Sequence, residues 1–315
     1  MVVVFSINED NSTEDVVDWF DHYGENFYRI NNIDDINSFI EKHQMLLIPE
    51  TENAVTSVWY RKSPSKSLTT NVFNNPNTDR SVRLFAYSEQ NGLFESLFSL
   101  LGEKKWLNHW SNSSPAKFHQ LLLASKCGLN VPATYVTNSK EQLLDFMSHH
   151  ASMIVKPIQD VESIELDGKR YFQYTKVLHR EDINRLNNTF FPGLFQKEIK
   201  KNLEIRSFYL DGKLYSMAIC SSFDRQTQMD FRRYNDKYPN RTIPYQLPKE
   251  IEKKLNIFME EMNLNCGSID LILDDSGDYY FLEVNPVGQF GMVSYPCNYY
   301  LERKIANFLI QSNNE

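Results

Sequence analysis

Three oxygen-bearing side chains near the C-terminal end of the chain, Asp270, Glu283 and Asn285, are of the types and spacing that hold a metal ion. Asp270 stands in an apolar, strand-like run at 268–273, and Glu283 and Asn285 lie two residues apart, in and just beyond a second run at 279–284. Side chains of a β-strand alternate between faces, so Glu283 and Asn285 share one face. The turn residues Asp275-Ser276-Gly277-Asp278 make the two strands antiparallel neighbours, which brings Asp270 within reach of the other two. Two carboxylates and an amide carbonyl form a hard-cation site; magnesium in particular is held by a few carboxylates and completed by substrate phosphates and water. Asp270 as an ordinary strand-end residue, and Asn285 as a turn residue before Pro286, are the alternative, so the assignment depends on what accompanies them.

What accompanies them is basic. Lys156 ends the apolar run Met153-Ile154-Val155 and precedes Pro157, which holds its ammonium at a strand end where it can reach nucleotide phosphates as a point charge. Lys117, near a helix start, is a second such lysine. Gln196-Lys197-Glu198-Ile199 offers main-chain N–H and C=O groups able to read an adenine edge, although any extended strand offers them. Glu204 and Arg206 alternate on one strand and face the same side. The carboxylate can accept from a ribose hydroxyl and the guanidinium can stabilise anionic oxygens; a cross-strand surface ion pair is the other reading. In Asp230-Phe231-Arg232-Arg233 an arginine can stabilise charge on a transferring phosphoryl group and on a tetrahedral adduct, and Asp230 is a candidate base or acceptor-positioning residue. A solvated basic loop is the alternative there.

The elements that must position these residues follow from periodicity and punctuation. A buried strand at 2–7 and a helix carrying Val16, Val17, Trp19 and Phe20 make a βα opening, with Ser12-Thr13-Glu14-Asp15 supplying cap-type residues. A β-rich stretch at 45–62, a polar loop at 63–76 and a helix at 80–102 come next. Ser111-Asn112-Ser113-Ser114-Pro115 marks a boundary, after which a helix at 116–126 stops at Gly128 and a strand resumes at 131–136. A helix at 140–150 and the strand bearing Lys156 lead to a β-ribbon of 204–210 and 213–220 joined by Asp211-Gly212. The last third holds a helix at 249–262, the two strands of the acidic site and a closing helix.

Composition excludes several classes. With 315 residues, 41% of them hydrophobic, the chain can bury a full core over two or three subdomains. A net charge of -8 argues against general nucleic-acid binding, because a surface that neutralises phosphates along a duplex is not indicated. Cys127, Cys220, Cys266 and Cys297 show no C-x-x-C pairing, which predicts reduced thiols rather than a zinc site or a disulfide framework. No secretion signal and no apolar run near the length of a membrane span is evident, so a cytoplasmic protein without membrane partners is expected.

The order Lys117, Lys156-Pro157, Gln196-Lys197-Glu198-Ile199, Glu204-Ile205-Arg206, Asp230-Phe231-Arg232, Asp270 and Glu283-Val284-Asn285-Pro286 resembles the ATP-grasp superfamily over residues 113–312, notably ligases that add glutamate to ribosomal protein tails. The resemblance implies a mixed α/β (α+β) fold of three stretches: an N-terminal pre-ATP-grasp domain at 1–112, then subdomains at 113–195 and 196–315 that clamp ATP. It implies Lys117 and Lys156 at the phosphates and the backbone of Lys197, Glu198 and Ile199 at adenine. Glu204 falls at ribose, Arg206 and Arg232 at the phosphate and acyl phosphate, and Asp270, Glu283 and Asn285 on magnesium, with two ions expected.

The stretch Glu283-Val284-Asn285-Pro286-Val287-Gly288-Gln289-Phe290 is similar to the peptide-cyclising members that make microviridins and related graspetides. The opening from Phe5-Ser6-Ile7-Asn8-Glu9-Asp10 to Asp18-Trp19 resembles the maturases of grasp-with-spasm systems. These likenesses imply a precursor peptide with a leader segment as substrate, Asp or Glu side chains joined to Ser, Thr or Lys through an acyl phosphate, and a homodimer. A small-molecule or protein-tail carboxylate-amine ligase, and a non-catalytic nucleotide- or peptide-binding relative, stand as alternatives. One departure from the pattern is the loop 158–170, which has one glycine and four acidic residues and so does not present a glycine-rich phosphate cradle.

Overall fold

A computed structural model of the chain describes residues 1–42, 55–64, 78–150, 152–159, 164–166, 169–171, 175–220 and 240–311. Its contacts fall into two compact units: Met1–Ser113 with Leu264–Cys266 and Pro286–Glu315, and Ser114–Asn263 with Gly267–Asn285.

The first unit is built on the apolar run Val2-Val3-Val4-Phe5, all four residues fully buried, as strand β1 (Val2–Phe5). A strand apolar at every position suits the interior of a parallel sheet covered on both faces. That is where it sits: β1 pairs in parallel with β2 (Phe27–Ile30) and β3 (Ser57–Tyr60), and β3 with β4 (Lys105–Leu107), in the order β2-β1-β3-β4. Helix α1 (Asn11–Tyr23) buries Thr13, Val16, Val17 and Phe20, and Gly24 at φ 69° ends it in the left-handed conformation that glycine adopts without strain. Helices α2 (Ile33–Lys42) and α3 (Arg80–Leu100) follow, and the core joins Phe5, Ile36, Phe39, Phe94, Phe98 and Trp106.

An ionised network runs through this unit. Arg61 Nε lies 3.0 Å from Asp10 Oδ2, with the side chains 2% and 3% exposed. Asp10 Oδ2 also accepts from the Thr13 hydroxyl at 2.7 Å, and the Thr13 and Ser6 hydroxyls are themselves 2.7 Å apart. The residues of the opening motif are therefore tied to one another and to Arg61. Burial pulls the Arg61 guanidinium below its ordinary pKa, and the opposing charge of Asp10 works against that shift.

The second unit holds two larger sheets and a hairpin. Strands β5 (Thr134–Ser139), β6 (Met153–Lys156), β9 (Lys176–Leu178) and β10 (Thr189–Lys197) form an antiparallel sheet in the order β5-β10-β6-β9, packed on Leu143 of α5 (Lys140–Ser148) and Ile183 of α6 (Arg180–Asn184). Periodicity did not single out β10, which is interrupted by Pro192-Gly193 and shifts register between Thr189 and Gly193. Within the glycine-poor loop, β7 (Ile164–Leu166) and β8 (Lys169–Tyr171) pair as an antiparallel hairpin.

The other sheet runs β13-β12-β11-β14-β15, from β11 (Lys201–Leu210), β12 (Lys213–Cys220), β13 (Arg241–Tyr245), β14 (Cys266–Asp274) and β15 (Tyr279–Asn285). The two-residue turn Asp211-Gly212, with φ of 46° and 80°, joins β11 and β12 as the dipeptide predicts. Between β14 and β15 the Asp274 carboxylate accepts from the N–H groups of Ser276 and Asp278, each at 2.9 Å. One face of this sheet is apolar: Phe258 of helix α7 (Lys249–Glu261) packs on Phe281 with ring centroids 4.7 Å apart.

The closing residues form α8 (Gly291–Cys297) and α9 (Leu301–Ile310), which belong to the first unit, where Ser57 Oγ donates to the Leu309 carbonyl at 2.6 Å. All four cysteines are free, and burial pushes the Cys266 thiol up to about 12, which leaves it protonated and unreactive at neutral pH. No helix among the described residues is long and apolar enough to cross a membrane.

Removing one partner of a buried ion pair leaves the other uncompensated. Asp10→Ala is therefore expected to lower unfolding stability by about 3–5 kcal/mol, measured by denaturant titration. A loss within the error of the titration would show that Arg61 does not need its carboxylate.

Candidate active site

The polar face of the five-stranded sheet gathers the acidic residues. Asp270 of β14 and Glu283 of β15 are direct register partners, and Asn285 pairs with Ser268, two residues before Asp270. All three side chains thus lie on one face, as the period of two requires. A register shift follows at once: Leu271 pairs with Phe281, so Leu282 has no opposite residue. Such a bulge twists a strand and re-aims its side chains. Here it lets Leu271 and Phe281, both fully buried, face the core while Asp270 and Glu283 stay on the polar side.

Each carboxylate is given a cation. Lys117 Nζ lies 3.1 Å from Glu283 Oε2, with the side chains 10% and 21% exposed. Arg206 Nε lies 3.6 Å from Asp270 Oδ1, and that nitrogen is buried without a hydrogen-bond partner among the described residues. Glu204, two residues before Arg206 on β11 and so on the same face, accepts from Lys201 Nζ at 2.7 Å.

Lys117 reaches Glu283 because helix α4 (Lys117–Lys126) lies along the edge of β15. The Val284 N–H donates to Gln120 Oε1 at 2.7 Å, and Gln120 Nε2 donates to the Pro115 carbonyl at 2.9 Å. Beyond the helix, the Phe281 N–H donates to the Asn130 carbonyl at 2.8 Å. An edge strand that would expose its N–H groups is thereby closed on both sides of Glu283.

Lys156 and Lys197, also expected at a nucleotide, lie in the other sheet of this unit, and Glu198 and Ile199 directly follow it. Lys156 ends β6, opposite Leu194 of β10. Lys197 and Glu198 stand at the end of β10, where the Lys197 N–H donates to the Ala133 carbonyl at 2.8 Å and the Glu198 N–H to the Ser152 carbonyl at 3.1 Å. The Ser152 hydroxyl holds the Glu198 carboxylate. Of the main-chain groups expected to read an adenine edge, the N–H groups of Lys197 and Glu198 are thus engaged within the protein. Asp230 and Arg232 lie outside the described residues.

Lys201 and Gln120 escaped the sequence reading. Gln120 stands three residues after Lys117 on the same helical face, a spacing that could have marked it, whereas nothing in the sequence gave Lys201 a partner.

No group of three or more His, Cys, Asp or Glu side chains is placed to hold a metal ion among the described residues. The donor set here is instead two opposed carboxylates with one amide, and an ion bound through substrate phosphates needs no more protein ligands than that. Arg206 Nε, beside Asp270 and without a hydrogen-bond partner among the described residues, is a donor suited to an anionic oxygen, so the residues fit a magnesium nucleotide.

A family model described as the RimK-like ATP-grasp domain matches residues 113–309. No curated protein matches the sequence. Among solved structures, the chain is similar to a RiPP-associated ATP-grasp ligase of Chryseobacterium gregarium in complex with ADP and a leader and core peptide, with TM-score 0.79 and 23% identity over 98% of this chain and 96% of that one. It is similar to the macrocyclase MdnC of Microcystis aeruginosa MRC bound with precursor peptide MdnA, at TM-score 0.78 and 22% identity over 99% of both chains. The ATP-grasp ligase PsnB, complexed with a minimal precursor, Mg and ADP, matches at TM-score 0.74 and 16% identity over 98% of this chain and 96% of that one. At these identities the likeness is one of fold, and the fold is ATP-grasp.

ADP with Mg2+ at about one hundred times its Kd should stabilise the wild-type chain by about 2.7 kcal/mol. Glu283→Gln should lose most of that gain, read as the shift from the variant's own ligand-free thermal midpoint in scans with and without Mg2+ and ADP. Equal stabilisation of the variant would remove Glu283 from the metal.

Proposed function

The chain belongs to the RimK-like ATP-grasp family, and from that premise we propose that it is an ADP-forming ligase acting on a ribosomally made precursor peptide. It joins Asp or Glu side-chain carboxylates of the peptide to Ser, Thr or Lys side chains of the same peptide. The observation that carries the reading is the opposed pair Asp270 and Glu283, each beside its own cation, Arg206 and Lys117. The peptide as substrate is supported by the motif at 283–290 and by similarity across nearly the whole chain to ligases solved with precursor peptides.

Magnesium, when bound, neutralises charge on the nucleotide phosphates. The chain's own residues do the rest by position and charge. Glu204 orients the ribose, the backbone of Lys197, Glu198 and Ile199 orients the adenine, and Lys117 and Lys156 hold the phosphates. A peptide carboxylate oxygen attacks the γ-phosphorus, its bond to the β,γ-bridging oxygen breaks, and ADP departs from an acyl phosphate. A peptide hydroxyl or amine then attacks the acyl carbon and gives up its proton, with Asp230 as the candidate acceptor. Arg206 and Arg232 stabilise the oxyanion, and inorganic phosphate leaves as the ester or amide forms. Each ring removes the elements of one water from the peptide.

The test is mass spectrometry of the precursor peptide encoded beside the gene, after incubation with the protein, ATP and Mg2+. Successive losses of the mass of one water are expected, and Asp270→Asn should abolish them. An unchanged peptide alongside ATP turnover driven by free amino acids would replace this reading with a small-molecule carboxylate-amine ligase.

A further inference from the structure

We infer that Asn108 is a positioning residue for the metal site, acting as a clamp on the open end of the β14–β15 pair; this rests on the assignment of Asp270, Glu283 and Asn285 to magnesium. Asn108 follows β4, is 3% exposed, and has its backbone at φ 51° in the left-handed region that asparagine tolerates better than most residues. Its side chain uses its full hydrogen-bonding capacity. Nδ2 donates to the Cys266 carbonyl at 2.7 Å and to the Pro286 carbonyl at 3.0 Å. Oδ1 accepts from the N–H groups of Cys266 at 3.1 Å and Asn265 at 3.0 Å. The Asn108 N–H returns a bond to Asn265 Oδ1 at 2.7 Å, and Asn265 Nδ2 is held by the Trp106 carbonyl at 2.7 Å.

Cys266 is the first residue of β14, and Pro286 directly follows the last residue of β15, Asn285. The pair is closed at its other end by the turn around Gly277, so the end that Asn108 crosses is the one free to fray. It is also the end that carries the proposed third metal donor: Asn285 pairs with Ser268, two residues into β14 from Cys266. A second side chain holds the next carbonyl along, since Arg61 donates to the Val287 carbonyl and is fixed by its buried pairing with Asp10. The chain on either side of the site's open end is thus pinned by side chains that are themselves braced. One carboxamide spanning both strands fixes the register that sets Asn285 opposite Ser268, and hence beside Asp270 and Glu283.

Asparagine is needed here because the clamp both donates twice and accepts twice. Asn108→Asp keeps the volume and the two accepted bonds but turns the second oxygen toward two carbonyls. Asn108→Ala removes the clamp altogether.

The test is isothermal titration of the full chain with ADP across a series of Mg2+ concentrations. Both variants are expected to raise the Mg2+ concentration for half-maximal ADP binding by about tenfold or more, while ADP affinity in the presence of EDTA stays near wild type. Asn285→Ala is the reference and should shift the same quantity. If Asn108→Ala does not fold, Asn108→Asp carries the measurement. Wild-type Mg2+ dependence in a folded Asn108 variant, with the Asn285→Ala shift present, overturns the clamp and reduces Asn108 to a structural residue. An Asn285→Ala variant with wild-type Mg2+ dependence overturns both the metal assignment and the clamp built on it.

Discussion

Two carboxylates set directly opposite each other across an antiparallel strand pair repel, and the rest of the second unit can be understood from how that repulsion is met. Like charges in register destabilise a sheet. Asp270 and Glu283 occupy such a position, so each needs a cation that the strands themselves cannot supply. Arg206 comes from the neighbouring strand β11 and Lys117 from a helix laid along the sheet edge. The bulge at Leu282 keeps the hydrophobic face intact where the polar face demands both carboxylates. Gly267 serves the same end, because a Cβ there would lie 2.9 Å from Val284 Cγ2 and 3.3 Å from the Asn285 carbonyl, displacing the strand that carries Glu283. Sheet, edge helix and bulge are parts of one solution.

The first unit is organised around a different cost. An arginine with almost no solvent contact must be paired, and Asp10, with Thr13 and Ser6 behind it, supplies the pairing. This explains why polar residues stand in the opening segment between an all-apolar strand and an amphipathic helix: they brace Arg61 rather than meet solvent. The carbonyls of Pro286 and Val287 accept from the same unit, through Asn108 and Arg61. The residues around the end of β15 are therefore fixed by groups more than a hundred residues away in sequence.

That distance separates what was legible in the sequence from what was not. The strand pair at 268–285, its turn and the shared face of Glu283 and Asn285 follow from local periodicity and turn chemistry, as do α1, the Asp211-Gly212 ribbon and the helix at 249–262. Strand β10 was hidden because Pro192 and Gly193 break its pattern, although pairing on both sides overrides their poor strand propensity. The bulge at Leu282 leaves no local mark, since the sequence around it alternates plausibly in either register. Lys117 could be proposed as a basic residue near a helix start, but its pairing with Glu283 depends on where that helix docks. The roles of Asn108, Gln120 and Lys201 are set by partners, and asparagine, glutamine and lysine are common enough that type alone points nowhere. The return of residues 286–311 to the N-terminal unit is a matter of packing, which consecutive sequence does not express.

The charge balance of the polar face bears on how a nucleotide would be taken up. Among the described residues, Asp270 lies beside Arg206, Glu283 beside Lys117 and Glu204 beside Lys201. A metal ion drawn to the carboxylates would release Lys117 and Arg206 from them, and those two cations are the chemical types that phosphate oxygens prefer. Uptake of a metal nucleotide at these residues would then be an exchange of ionic partners. Such an exchange would favour binding metal and phosphate together over binding either alone. Coupling of that kind requires the two carboxylates to stay opposed while their cations move, so the rigidity of the strand pair, rather than the strength of any one ion pair, is what the arrangement depends on.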